Sequence, residues 1–272
     1  MQNDDELAKA VEQYVGRQWG ALMRGVTNAM VRDRYGAQSE ELKRMVALGM
    51  VQEYIDAAVR QVRESYLAKG VFMHDLSELS DHCADREKYI IDACASTPVL
   101  HFGFADAPFK AGFHQRIKAV AALTFGVDIN KDAVKSYTDE TGDRDVAVGD
   151  VQDGVVVEHD PRFGVILLPE VLEHVRCVEK ALLTIKANCA WHGCHAIITV
   201  PNAFFFGNLF SAVEGKEIVH PDHRYWFSPY TFKKCLEDAG LVVKDFLFYS
   251  PVDMVSTPGL TKSGLIARVG AE

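Results

Sequence analysis

The 272-residue sequence has no Cys-x-x-Cys pair, no phosphate-cradling Gly-x-x-x-x-Gly-Lys loop, no Gly-x-Ser-x-Gly elbow and no Gly-x-Gly-x-x-Gly run. These absences exclude a thioredoxin-type redox pair, a P-loop nucleotidase, a serine hydrolase and an ordinary dinucleotide fingerprint. No apolar stretch approaches the ~18 residues of a membrane span. The opening Gln2-Asn3-Asp4-Asp5-Glu6 lacks both the basic and the apolar parts of a secretion leader, so we expect a cytoplasmic chain with no membrane partner. Positive charge is also short. Lys and Arg number 29 against 38 Asp and Glu, for a net charge of -9, which argues against nucleic acid as the main partner. The six cysteines, at 83, 94, 177, 189, 194 and 235, sit mostly inside periodic segments and are expected to be reduced thiols. No repeat or low-complexity linker interrupts the chain.

What is present is ordinary for a folded protein: 48% hydrophobic and 25% charged residues, enough for one large domain or a domain with an extension. Residues 1–95 read as helix throughout. Leu7, Val11, Trp19, Met23, Val26 and Met30 recur at helical spacing before Gly36, and Ser39 looks like an N-cap for a second helix that ends at Gly70. A third helix is expected from about Asp85 to Ala95. The apolar stripes suit core packing or a dimer contact, so residues 1–95 are expected to form a helical N-terminal cap or homodimerisation element, with the main domain over 96–272.

From Pro98 the pattern changes to alternating strands and helices. Val99 to Phe102, a strand ending at Asp128, Val146 to Val148, Phe163 to Leu168, His195 to Val200, Leu241 to Tyr249 and Leu265 to Val269 read as strands. Between them, helices are expected at Phe113 to Leu123, Lys131 to about Tyr137, Val178 to Asn188 and from Pro229 to Gly240. The alternation predicts an α/β fold: a doubly wound, mostly parallel, seven-stranded Rossmann-like sheet with an N-terminal helical extension. Its ligand should lie at the carboxyl ends of strands one to four. Asp128 follows Gly103 by 25 positions and closes the second strand, where an acceptor-only carboxylate suits the two hydroxyls of a ribose. With one glycine in the first loop, a nucleoside without phosphates fits better than a pyrophosphate.

Taken in order, Val99 to Asp106, Gly126-Val127-Asp128, Gly149-Asp150-Val151, Phe163 to Val175 (FGVILLPEVLEHV) and Ile197 to Asn202 (IITVPN) resemble the successive motifs of the class I S-adenosylmethionine-dependent methyltransferases. The segment His220 to Ser228 (HPDHRYWFS) is similar to the small-molecule and glycan-modifying branch of that family. The resemblance implies S-adenosylmethionine as cofactor, with Gly103 and Phe104 beside its methionine part, Asp128 on ribose, Ile129 on adenine, and Asp150 with Val151 facing the adenine amino group. Two departures stand out. His101 occupies the family's acidic position, and Phe104-Ala105-Asp106-Ala107 fills what is normally Gly-rich, where a Cβ limits backbone approach.

Glu170, Glu173 and His174 form the next cluster. If a helix starts after Pro169, Glu170 and His174 share one face, so that Glu170 holds the cofactor's ammonium or orients His174 as general base. His220 and His223 are competing bases, with Arg224 and Tyr225 as grips on the acceptor. Cys189, His192, Cys194 and His195 are declined as a zinc site, because strand-borne ligands alternate faces, and no metal is expected. The expected reaction is methyl transfer to an oxygen or nitrogen of a small molecule or sugar-containing acceptor. The alternatives are a noncatalytic S-adenosylmethionine-binding or scaffold protein, suggested by the missing glycines, and a nucleotide-sugar or dinucleotide enzyme, opposed by the missing phosphate loop.

Overall fold

Local chemistry sets the boundaries of most elements from Asp85 onward. The computed structural model describes residues 60–61, 64–71, 82–83, 85–105, 108–213, 215–249 and 263–271. The expected helices around Leu7 to Met30 and from Ser39 therefore fall almost entirely outside the described residues. The described end of the second one turns at Gly70, whose φ of +81° is the left-handed value that suits glycine. The chain divides into two compact units, Met1–Asp75 with Gly207–Ile218, and Leu76–Phe206 with Val219–Glu272.

The second unit holds the sheet. Strand β1 (His82–Cys83) precedes helix α1 (Arg86–Cys94), which Asp85 caps by accepting from Lys88 N at 3.0 Å. Then come β2 (Pro98–Phe102), α2 (Pro108–Lys118), β3 (Leu123–Asp128), α3 (Lys131–Thr141), β4 (Val146–Val148), β5 (Val165–Pro169), α4 (Val178–His192) and β6 (His195–Pro201). Asn130 caps α3 through its side-chain oxygen, and Gly142 ends it at φ +72°. Helix α5 (Phe206–Val213) belongs, from Gly207, to the first unit. Helix α6 (Pro229–Asp238) starts with a capping box between Ser228 and Thr231, and β7 (Leu241–Tyr249) and β8 (Gly264–Ala271) close the chain.

The sheet order is β1-β7-β8-β6-β5-β2-β3-β4, with β8 antiparallel to both neighbours and the other pairs parallel. This is the expected doubly wound sheet of seven strands, plus the two-residue β1 at one edge. Central strands carry apolar residues on both faces because helices cover both. Leu100, Ile166, Leu168 and Ile198 pack with Leu182 and Ile185 of α4 and Phe232 and Leu236 of α6. Their alternates Val99, Val165, Leu167 and Ile197 pack with Ile90 and Cys94 of α1 and Phe113 and Ile117 of α2.

Three expectations need correction. β1 interrupts the supposed all-helical residues 1–95, and α1 is part of the sheet's own core, so these two elements lie with the sheet and outside a helical cap. α2 begins at Pro108, ahead of the expected Phe113. α5 was not expected, because Phe205 stands where an N-capping residue would announce a helix.

Candidate active site

Successive strands leave β2 toward one edge through β3 and β4, and leave β5 toward the other through β6. The sheet therefore has its switch point between β2 and β5, where a crevice opens at the strand ends. A cleft lies there, walled by Phe102 and Gly103 at the end of β2, Asp128 and Ile129 at the end of β3, Gly149 to Gln152 after β4, and Val171, His174 and Val175 after β5.

Each wall has a physical reason for its shape. Gly103 has φ +75°, and a Cβ there would stand 2.2 Å from Val171 Cγ2, so only glycine lets the two loops meet. Asp128, 2% exposed, accepts from Ala105 N at 2.8 Å through Oδ2 and from Asn130 N at 2.9 Å through Oδ1. Its carboxylate thus ties the first loop to the second, and two further lone-pair positions are left for a ligand. Asp150 makes the turn after β4, accepting from Gln152 N at 2.8 Å. Gln152 in turn accepts from Arg176 N and Cys177 N at 2.9 and 2.8 Å, tying the residues that enter α4 to the loop after β4. Ile129 is 64% exposed beside this cleft, an apolar face in the place where a flat base would cover it.

The expected cofactor residues fall into two groups. Gly103, Asp128, Ile129, Asp150 and Val151 all line the cleft. Phe104 does not. Its ring is fully buried against His114, Tyr137 and the bare Cα of Gly126, so the residue that replaces a family glycine fills the core and leaves the cleft open. The residues present fit S-adenosylmethionine: Gly103 permits close backbone approach, and the Asp128 carboxylate offers acceptors of the kind ribose hydroxyls need.

Glu170 also departs from expectation, because no helix starts after Pro169. Glu170 stands at φ +52°, and its carboxylate accepts from Thr199 Oγ1 at 2.7 Å and Tyr249 OH at 3.0 Å and pairs with Arg86 at 3.3 Å. Burial, and then the Glu170 charge, push the Tyr249 phenol up. On Arg86, burial opposes the charge, but Glu170 and Tyr249 outweigh it and raise the guanidinium. Glu170 therefore joins this group.

The residue that does adjoin His174 is Glu173. Its carboxylate is buried and lies 3.8 Å from His174 Nε2 and 4.0 Å from His223 Nε2. The rings of His174, His220 and His223 form a triangle with centroids 4.6 to 5.4 Å apart. Backbone bonds hold the two contributing segments together: Arg224 N donates to Glu173 O at 2.8 Å, and Arg224 Nε reaches His174 O at 3.3 Å. Tyr225 OH donates to Arg176 O at 2.8 Å. Arg224 and Tyr225, expected as substrate grips, thus also clamp the histidine segment in place.

Sequence reasoning gave no site role to Gln152, Val171 or Val175, whose contacts arise only when the loops meet, and it named Glu170 as the partner of His174, where the structure sets the Glu173 carboxylate 3.8 Å from Nε2. The declined stretch near β6 has its own uses. His192 engages Phe163 N and Val157 O with its two ring nitrogens, at 3.2 and 2.9 Å.

A family model described as a methyltransferase domain matches residues 67–245. No curated protein matches the chain. Similar solved structures include an S-adenosylmethionine-dependent methyltransferase from Clostridium acetobutylicum, at 9% identity and TM-score 0.49, covering 79% of this chain and 99% of that one. Another, from Archaeoglobus fulgidus, has 18% identity and TM-score 0.45, covering 66% of this chain and 90% of its own. A third, from Mesorhizobium loti, has 12% identity and TM-score 0.46, with 69% and 97% covered.

Proposed function

The chain belongs to the class I S-adenosylmethionine-dependent methyltransferases, and from that premise we propose that it methylates an oxygen or nitrogen of a small molecule or sugar-containing acceptor. The observation that carries this reading is His174, which lines the cofactor cleft on one side and meets His220 and His223 on the other. An acceptor held at that trio would sit beside the sulfonium methyl.

Asp128 takes the ribose hydroxyls, Ile129 covers adenine, Asp150 and Val151 face its amino group, and Gly103 borders the methionine part. The acceptor atom donates a lone pair to the methyl carbon while the carbon–sulfur bond breaks and its pair returns to sulfur. The acceptor's proton leaves to the histidine cluster, in which His174 is nearest the cofactor. Most of the rate comes from holding two reactants in line in a site that excludes water, with proton removal contributing about 10² to 10⁴. The guanidinium of Arg224 has donors besides Nε to offer an anionic or hydroxylated acceptor.

Free thiols at all six cysteines support a reducing, cytoplasmic setting. The net charge of -9 supports a small acceptor in preference to a nucleic-acid backbone. No helix among the described residues is long and apolar enough to cross a membrane. The part of residues 1–95 that precedes β1 is assigned to the expected helical cap or homodimer element; ultracentrifugation of the full chain should show a dimer, and a monomer at every concentration would remove the dimer role.

The direct test is transfer of labelled methyl from S-adenosylmethionine into a metabolite pool. Label should appear in a small polar product and should fall by about 10² or more in His174→Ala with cofactor affinity kept. Label incorporated only into RNA, or no incorporation at all, would contradict the proposal.

A further inference from the structure

We propose that His174, His220 and His223 bind a divalent transition-metal ion of the zinc class, with the buried Glu173 carboxylate as its counter-charge. One ring nitrogen from each histidine lies within 4.8 Å of the others. In a tetrahedral site with bonds of about 2.0 to 2.1 Å, ligand nitrogens stand roughly 3.4 Å apart, so modest rotations of the rings complete the geometry. Three imidazoles are the donor set that favours zinc, iron or cobalt over magnesium or calcium.

The convergence is built into the fold. His174 belongs to the turn after β5, whereas His220 and His223 come from the segment before α6, and the Arg224 and Tyr225 bonds to Glu173 O, His174 O and Arg176 O fix one against the other. Glu173 adds the second feature. A carboxylate with 0% exposure is costly to bury as an ion unless positive charge is close, and it lies within 4.0 Å of two of the three rings. A divalent ion held by those rings would add positive charge beside it. His220, the most exposed of the three, has Nδ1 at 3.3 Å from Asp222 N and 4.0 Å from the Asp222 carboxylate. Nδ1 accepts from Asp222 N here, so metal binding through Nε2 requires the ring proton to move to Nδ1 and turn from that N–H to the Asp222 carboxylate, as outer partners of metal-bound histidines do.

Metal binding stands by itself, but its purpose rests on the proposed methyl transfer. With the ion bound, the three imidazoles would act as its ligands in place of the proton-accepting role given to them above, and the ion would supply a Lewis acid that eases loss of the acceptor hydroxyl's proton to solvent. The oxygen so freed would bond to the methyl carbon as the carbon–sulfur bond breaks and its pair returns to sulfur. The acceptor would thus be an oxygen ligand, a hydroxylated molecule in preference to a plain amine. The expectation of no metal came from the Cys189 to His195 stretch; the histidines that do converge are far apart in sequence.

The test is titration of chelator-stripped full-length protein with Co²⁺, followed by visible absorption, and with Zn²⁺, followed by calorimetry. We expect one ion per chain, and at least tenfold weaker binding in His220→Ala, whose exposed side chain makes misfolding an inadequate explanation, and in His223→Ala. Glu173→Gln should weaken binding about 10- to 100-fold. S-adenosylhomocysteine affinity should stay unchanged in His220→Ala. Absence of stoichiometric uptake, or equal affinity in wild type and His220→Ala, overturns the site. Methyl transfer undiminished by chelation, without metal uptake, sinks the metal and leaves the functional reading standing; stoichiometric uptake with no methyl transfer does the reverse.

Discussion

The Asp128 carboxylate has two duties that a substitution separates. It holds Ala105 N and Asn130 N, so Asp128→Ala removes two charge-assisted bonds that position the first and second loops. It is also assigned the ribose hydroxyls. We expect at least a tenfold loss of cofactor affinity in a variant that remains folded, measured by calorimetry; unchanged affinity would remove the ribose role. His114 gives a prediction of another kind. Burial lowers its imidazole from 6.5 to about 4, so the folded chain leaves it neutral where the unfolded chain takes up a proton. The unfolded state binds more protons between those values. The stability contribution is complete above pH 6.5 and is lost as pH falls toward 4, on the order of 3 kcal/mol in all. The thermal midpoint should fall between pH 7.5 and pH 5, less steeply in His114→Phe; an equal slope in both would show that other groups carry it.

At the scale of elements, the junction of the loops after β2 and β5 is the most constrained place in the cleft. Gly103→Ala puts a methyl 2.2 Å from Val171 Cγ2 and a side chain at φ +75°. We expect a stability loss of about 1 to 3 kcal/mol and weaker cofactor binding. Adding Val171→Ala should recover part of that loss, because it relieves the clash and leaves the backbone strain. An unchanged melting temperature in the single variant would contradict this. The strands were legible because each buried run is bounded by a turn residue, as at Asp128 and Gly149. The path after Pro169 was not, because Glu-Val-Leu-Glu-His has the composition of a helix. The choice at Glu170 is made by Thr199, Tyr249 and Arg86, which come from other elements and draw its side chain away from His174. Phe104 was misplaced for a similar reason: its destination is a pocket made by Gly126, His114 and Tyr137, which no local pattern shows.

On the scale of the molecule, the reversal of strand order between β2 and β5 gathers four loops into one cleft, and the segment before α6 brings two more histidines to its edge. In the proposed arrangement cofactor and acceptor take different walls of the same opening, the first on loops after β2 to β4, the second at the trio that His174 joins to the cleft. The first assignment comes before everything else proposed for this chain, and Ile129 tests it most cleanly, since its 64% exposure leaves folding little affected by replacement. Calorimetric titration with S-adenosylhomocysteine should show one site per wild-type chain and an affinity at least tenfold weaker in Ile129→Asp, which sets a hydrated carboxylate against adenine. Equal affinity in the two proteins, or no binding to the wild type, would contradict the placement of the cofactor in this cleft.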